Sequence, residues 1–162
     1  MSEVVVLGGG RVGGLLARDL ATDPDLHVTV VDRDSAALEN LAQRAPVVTE
    51  RIDLSDGEAV RVLCRRFELV VGAAPGFLGL RCLRAAIEAG RSVVDISFLP
   101  EDARQLDALA REKDVTVVFD CGVAPGLSNL FCGRAAAELE DLQSVRILVG
   151  GLPVVRRWPW EY

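Results

Sequence analysis

The chain has 162 residues, half of them hydrophobic, so one compact domain is expected and extensive disorder is excluded. A formal net charge of −6 offers no basic face for nucleic acid. His27 is the one histidine and Lys113 the one lysine, which excludes mechanisms that need paired histidines, a histidine-rich metal site or several lysines.

The segment MSEVVVLGGG has no basic n-region and meets glycines after one short apolar run, so it does not read as a secretory signal. Residues 4–7 form the first expected strand. A glycine-rich turn follows, then a helix over 12–20 with Val12, Leu15, Leu16 and Leu20 on one stripe. A strand over 28–31 ends at Asp32, and Ser35 is placed to cap a helix over 36–43. A strand over 47–52 runs into Asp53, and Asp56 precedes a helix over 59–66. The strand over 69–71 opens into Ala73-Ala74-Pro75-Gly76. The uncharged stretch 69–80 holds Pro75 and three glycines, and is far shorter than the roughly 20 apolar residues of a membrane span.

A helix over 80–89 stops at Gly90, the usual left-handed stop. After a strand over 92–96, a helix over 101–111 starts behind Pro100 with acids in its first turn. A strand over 115–119, a glycine- and proline-containing loop with capping residues, a further helix and a strand over 145–149 complete the pattern. The runs 28–31, 69–71 and 115–119 are almost continuously apolar, as strands are when helices cover both faces of a parallel sheet. The alternation implies an α/β fold with a doubly wound, mostly parallel sheet of the Rossmann type.

Beyond Val149 the text becomes GGLPVVRRWPWEY, and Trp158, Trp160 and Tyr162 crowd a short stretch. This reads as a cut end, with a nucleotide-binding domain over 1–143 and the start of a second, substrate domain over 144–162. The aromatic tail is expected to self-associate, so a homo-oligomer is expected.

The strongest local signal is Gly8-Gly9-Gly10-Arg11-Val12-Gly13, a G-x-G-x-x-G between an expected strand and an expected helix. Gly8 permits the tight turn, Gly10 lets a pyrophosphate approach the backbone, and Gly13 lets the helix lie close to the sheet. The helix start, with Arg11 and Val12, offers N–H groups and a positive dipole end to phosphates. Asp32, about twenty residues on, is placed to accept hydrogen bonds from the adenosine ribose and to favour NAD over NADP. The adjacent Arg33 tempers that preference, since an arginine can hold a 2′-phosphate or stack on adenine. Asp53 falls at the adenine edge, and Ala73, Ala74 and Pro75 let a cofactor ribose lie against backbone. NAD is the expected cofactor, with NADP possible.

Two later loops complete the carboxyl end of the sheet. Asp95-Ile96-Ser97-Phe98 follows one strand, and the loop from Asp120 to Asn129 follows the next. Asp95 and Asp120 read equally as helix caps and as site residues. Cys64, Cys82, Cys121 and Cys132 form neither a C-x-x-C nor a zinc spacing, and read as reduced, small, buried side chains of a cytoplasmic protein. Cys121 lies in a cleft loop but has no neighbouring activator. His27 starts a strand at the opposite end and reads as structural or solvated. The catalytic residues cannot be named from these features.

The segments VVDISF (93–98), DCGVAPGLSN (120–129) and VGGLP (149–153), in this order behind the glycine motif, resemble the saccharopine dehydrogenase-like family. Members that form saccharopine usually carry Tyr after the Ser of the first segment and Asp before the Pro-Gly of the second. This chain has Phe98 and Ala124, and its PGLSN wording is more similar to lysine 6-dehydrogenase-like members. The resemblance implies an NAD(P)-dependent oxidoreductase acting by hydride transfer at a C–N bond of lysine, saccharopine or a similar amino acid. It also implies a separate substrate domain and no turnover by this portion alone; no membrane partner is expected, since the longest uncharged stretch is too short to span one. The alternative is a stand-alone nucleotide-sensing regulatory module, which would have no use for the PGLSN and GGLP segments.

Overall fold

The structure, a computed structural model, describes residues 1–150. Six parallel strands run in the order β3-β2-β1-β4-β5-β6, with β1 (Ser2–Leu7), β2 (Leu26–Asp32), β3 (Val48–Arg51), β4 (Leu69–Gly72), β5 (Ser92–Asp95) and β6 (Val117–Val118). The helices between them are α1 (Arg11–Leu20), α2 (Ser35–Ala42), α3 (Gly57–Cys64), α4 (Gly76–Glu88) and α5 (Asp107–Glu112), the last entered through a 3-10 turn at Ala103–Leu106. This is the doubly wound sheet that the alternating pattern predicts.

Strand periodicity sends successive β1 residues to opposite faces. Val4 and Val6 join Val28, Val30, Ala17, Leu38 and Leu41 on the α1–α2 face. Val5 and Leu7 join Val60, Leu63, Val70, Leu83 and Ile87 on the α3–α4 face. Burial on both sides is why β1 carries no polar residue from Val4 onward.

The register aligns the carboxyl ends of four strands in one row. Leu7 lies opposite Val31 and Gly72, and Gly72 opposite Asp95. Strand order reverses between β1 and β4, so the crevice of a doubly wound sheet opens above Leu7 and Gly72.

Several local expectations are corrected. Asp34 caps α2 in place of Ser35, its carboxylate accepting from the amides of Ala36 and Ala37 at 3.0 and 3.2 Å. In α1 Gly13, Gly14 and Ala17 are buried and Leu16 and Leu20 of the expected stripe pack half-buried against the same core, while Val12 and Leu15 are exposed. Small residues face the sheet because the helix lies too close for leucine. Helix α4 begins at Gly76, four residues early, and Asp102 rather than Pro100 introduces the turn before α5. No strand forms over 145–149, contrary to the expectation from its composition.

Contacts divide the chain into two units, one from Met1 to Gly122 and one from Val123 onward. The second contains α6 (Leu127–Glu138), which buries none of its residues, and an irregular segment up to Gly150. The expected aromatic tail and most of VGGLP lie outside the described residues. No helix among the described residues is long and apolar enough to cross a membrane.

Candidate dinucleotide site

Two loops meet at the switch point. The Gly8 amide donates to the Val31 carbonyl at 2.9 Å, and the Ala73 amide to the Leu7 carbonyl at 2.9 Å. Gly8 has φ +113°, and a side chain there would begin 2.5 Å from the Ala73 carbonyl oxygen. A side chain on Gly13 would collide with the Gly8 carbonyl oxygen. Gly10 differs: nothing lies within 4 Å of where its side chain would start. Glycine at 8 and 13 therefore serves the protein's own packing, while Gly10 leaves an open approach to the backbone.

Helix α1 begins beside that opening. Its first backbone bond of the i to i−4 type runs from the Gly14 amide to the Gly10 carbonyl at 2.7 Å. The Val12 and Gly13 amides precede it and belong to the helix's partial positive end. Arg11 and Val12 are exposed at this end.

Asp32 closes the turn from the other side. One carboxylate oxygen accepts from the Gly9 amide at 2.7 Å and the other from the Asp34 amide at 3.0 Å. The acid at the end of β2 and the glycine loop thus form one hydrogen-bonded unit. The Gly9 contact is invisible to a motif reading, which assigns that position no task.

Arg33, Asp53 and Pro75 line a recess with Asp32, Leu54, Ser55, Phe77 and Leu78, of about 150 Å³. That is the scale of a cavity that admits one aromatic ring. The Ser55 amide donates to Asp53 at 2.9 Å and holds its carboxyl below the usual carboxylate range. Phe77 is 77% exposed at the first turn of α4, a position its apolar ring does not take for packing. Sequence reasoning missed Phe77 and Leu78 because they resemble ordinary helix residues. The signal that could have found them is their place directly after the Ala-Ala-Pro-Gly turn.

The structure thus brings Gly8, Gly10, Arg11, Val12, Gly13, Asp32, Arg33, Asp53, Ala73, Ala74 and Pro75 to the carboxyl ends of β1, β2, β3 and β4. A larger apolar groove, lined by Leu83, Ile87, Leu106, Val117 and Phe119 among others, contains none of these residues.

Asp95 is wholly buried at the end of β5 and caps no helix. It accepts from the Ser97 amide at 2.8 Å and the Ser97 hydroxyl at 3.1 Å. Burial pushes its carboxyl up to about 6 against the lowering effect of the Ser97 bonds, with Asp120 adding to the rise. A side chain on Gly72 would fall on the Asp95 carboxylate, so that glycine makes the room the acid occupies.

The Cys121 amide bonds the Asp95 carbonyl at 3.0 Å, and burial raises its thiol, so no activated thiolate is built here. Cys64 and Cys82 are buried as expected, with thiols pushed up to about 12 by burial. Cys121 is exposed and Cys132 half-buried, contrary to that expectation, because both sit where the sheet core has ended. His27 sits far from the cleft on β2, its Nδ1 2.9 Å from Glu3 on β1.

Comparison with known proteins converges on one group. The family described as the saccharopine dehydrogenase NADP binding domain matches residues 4–118. Saccharopine dehydrogenase [NADP(+), L-glutamate-forming] of Saccharomyces cerevisiae is 26% identical over 93% of this chain and 35% of its own length. Mitochondrial alpha-aminoadipic semialdehyde synthase of Rattus norvegicus is 22% identical over 93% of this chain and 17% of its own. The chain therefore spans about a third or less of the curated relatives it matches.

Among solved structures, apo saccharopine dehydrogenase from Saccharomyces cerevisiae superposes with a TM-score of 0.77 at 25% identity, over 85% of this chain and 31% of that one. GenD2 from gentamicin A biosynthesis, in complex with NAD, superposes with a TM-score of 0.58 at 30% identity, over 73% of this chain and 34% of that one.

Proposed function

The chain belongs to the saccharopine dehydrogenase NADP-binding-domain family, and from that premise we propose that it is the dinucleotide-binding part of an amino-acid oxidoreductase. The observation that carries this reading is the open backbone at Gly10 beside the start of α1, above the β1–β4 switch point. A pyrophosphate fits there against first-turn amides. Asp32, already oriented by Gly9 and Asp34, accepts from the adenosine ribose. The recess floored by Leu54 and Leu78 takes the adenine, between Phe77, Pro75 and the Arg33 side. Ala73 and Ala74 pass beneath the second ribose.

The hydride chemistry resides in the dinucleotide, and the chain binds and orients it. The wider enzyme acts at a C–N bond of lysine, saccharopine or a related small amino acid, as the names of its relatives support. This portion alone binds cofactor without turning over an amino acid. Near the cleft it offers a buried aspartate and an unactivated thiol, and its one histidine lies elsewhere. The division into a nucleotide-binding domain over 1–143 and a substrate domain beginning at 144 belongs to the same reading. Four free thiols suit a reducing compartment such as the cytoplasm.

Amide resonances test the placement. NADH titration is expected to shift Gly8, Gly9, Gly10, Gly13, Asp32 and Ala73 saturably. Saturable shifts confined to other regions would overturn it.

A further inference from the structure

With the adenosine over the ends of β2 and β3, the ends of β4, β5 and β6 are the half of the sheet left for the nicotinamide. Asp95 is the hub of that half. It has no exposed surface, and its carboxylate accepts from the Ser97 amide at 2.8 Å and the Ser97 hydroxyl at 3.1 Å. Its carbonyl accepts from the Cys121 amide at 3.0 Å, and the following amide, of Ile96, donates to the Gly72 carbonyl at 3.0 Å. The end of β4, the loop after β5 and the loop after β6 are thereby tied together at one residue.

Three glycines make the room for this arrangement. A side chain on Gly72 would fall on the Asp95 carboxylate, one on Gly76 on the Phe98 carbonyl, and one on Gly79 on Leu99 and Ser97. The segment 96–99 is therefore seated directly on the end of β4 and the first turns of α4. Ser97 is 4% exposed, yet Phe98 beside it is 72% exposed and takes no part in either core cluster. A closely seated segment thus carries an apolar ring that its own packing does not use. Burying an ionisable carboxyl is costly where a neutral side chain would fill the space, and such carboxyls gather at working sites.

We propose that Asp95 is a positioning residue for the nicotinamide half of the dinucleotide: through Ser97 it fixes the segment 96–99, so that the Phe98 ring forms an apolar wall at the nicotinamide end. This rests on the dinucleotide reading given above. A wall set in place before binding leaves less ordering cost to be met when the ligand arrives.

The test is a titration of NADH, and of ADP-ribose, which lacks the nicotinamide, into wild type, Phe98→Ala, Asp95→Ala, Asp95→Asn and Ser97→Ala. Phe98→Ala is expected to weaken NADH about three- to ten-fold beyond any change for ADP-ribose, the scale of a lost aromatic contact. Asp95→Ala is expected to show the same selective loss. Asp95→Asn is expected to recover most of it, since its amide oxygen still accepts from the Ser97 N–H. Ser97→Ala removes only the hydroxyl bond and is expected to show a smaller selective loss, which stands in for Asp95→Ala should that chain not fold. Equal effects on NADH and ADP-ribose in Phe98→Ala overturn the wall. No selective loss in folded Asp95→Ala or, in its place, Ser97→Ala overturns the positioning role, as does a loss in Asp95→Asn as large as in Asp95→Ala. These outcomes leave the dinucleotide reading standing. Binding of neither ligand by folded wild type overturns the dinucleotide reading itself.

Discussion

Asp95 sits with no exposed surface at the end of β5, and burial lifts its carboxyl from the ordinary 3.8 to about 6. A raised acid is one the folded state prefers to keep protonated. Its ionisation therefore costs stability that is absent below pH 4, grows between pH 4 and 6, and is complete above 6. The size is about 3 kcal/mol at neutral pH. Asp95→Asn keeps an acceptor for the Ser97 amide and removes the charge. It is expected to melt several degrees above wild type at pH 7.5, with the difference vanishing near pH 4 in thermal denaturation. A difference independent of pH would contradict this. Gly13→Ala is expected to destabilise by about 1–3 kcal/mol in chemical denaturation, because the new carbon meets the Gly8 carbonyl.

The tight turn at Gly8, with its φ of +113°, and the close packing at Gly13 were legible in the sequence because the glycine pattern signals both. The Gly9–Asp32 bond and the Gly72–Asp95 fit were not, since each pairs residues more than twenty positions apart that meet only when strands pair.

The elements show which local signals decide and which yield. Ser35 and Asp34 are both capping types, and Asp34 caps because its carboxylate reaches the Ala36 and Ala37 amides. Asp34→Ala is expected to cost about 1 kcal/mol by chemical denaturation. In α1 Leu16 and Leu20 of the periodic stripe do pack against the core, yet Val12 and Leu15 are exposed and the fully buried residues are Gly13, Gly14 and Ala17. Helix-to-sheet distance overrides hydrophobicity there, and that distance is set by the glycine turn. Leu15→Ala is accordingly expected to change stability by less than about 0.5 kcal/mol. Ala17→Leu is expected to cost about 1–3 kcal/mol by overpacking. The run 145–149 has strand composition but forms no strand, since composition alone does not bring a pairing partner alongside.

At the scale of the whole molecule, the doubly wound sheet was legible because apolar runs alternate with helical segments, and right-handed crossovers leave few ways to wind them. The order β3-β2-β1-β4-β5-β6 then places four loops in one row and opens a crevice between the first and fourth strands. The glycine turn and Asp32 could be picked out by spacing because they flank the first two strands. The recess proposed for adenine could not, because it joins residues after β2, β3 and β4.

The central claim is that the turn around Gly10 seats a dinucleotide pyrophosphate. Gly10→Asp tests it directly, since the site has room for a side chain, its φ of −66° suits any residue, and aspartate is a favoured cap for α1. NADH fluorescence titration is expected to saturate wild type at one dinucleotide per chain. It is expected to show binding weakened by about a hundred-fold or more in the variant, through like-charge repulsion, with melting temperature held or raised. Undiminished binding by a folded Gly10→Asp chain would contradict the account.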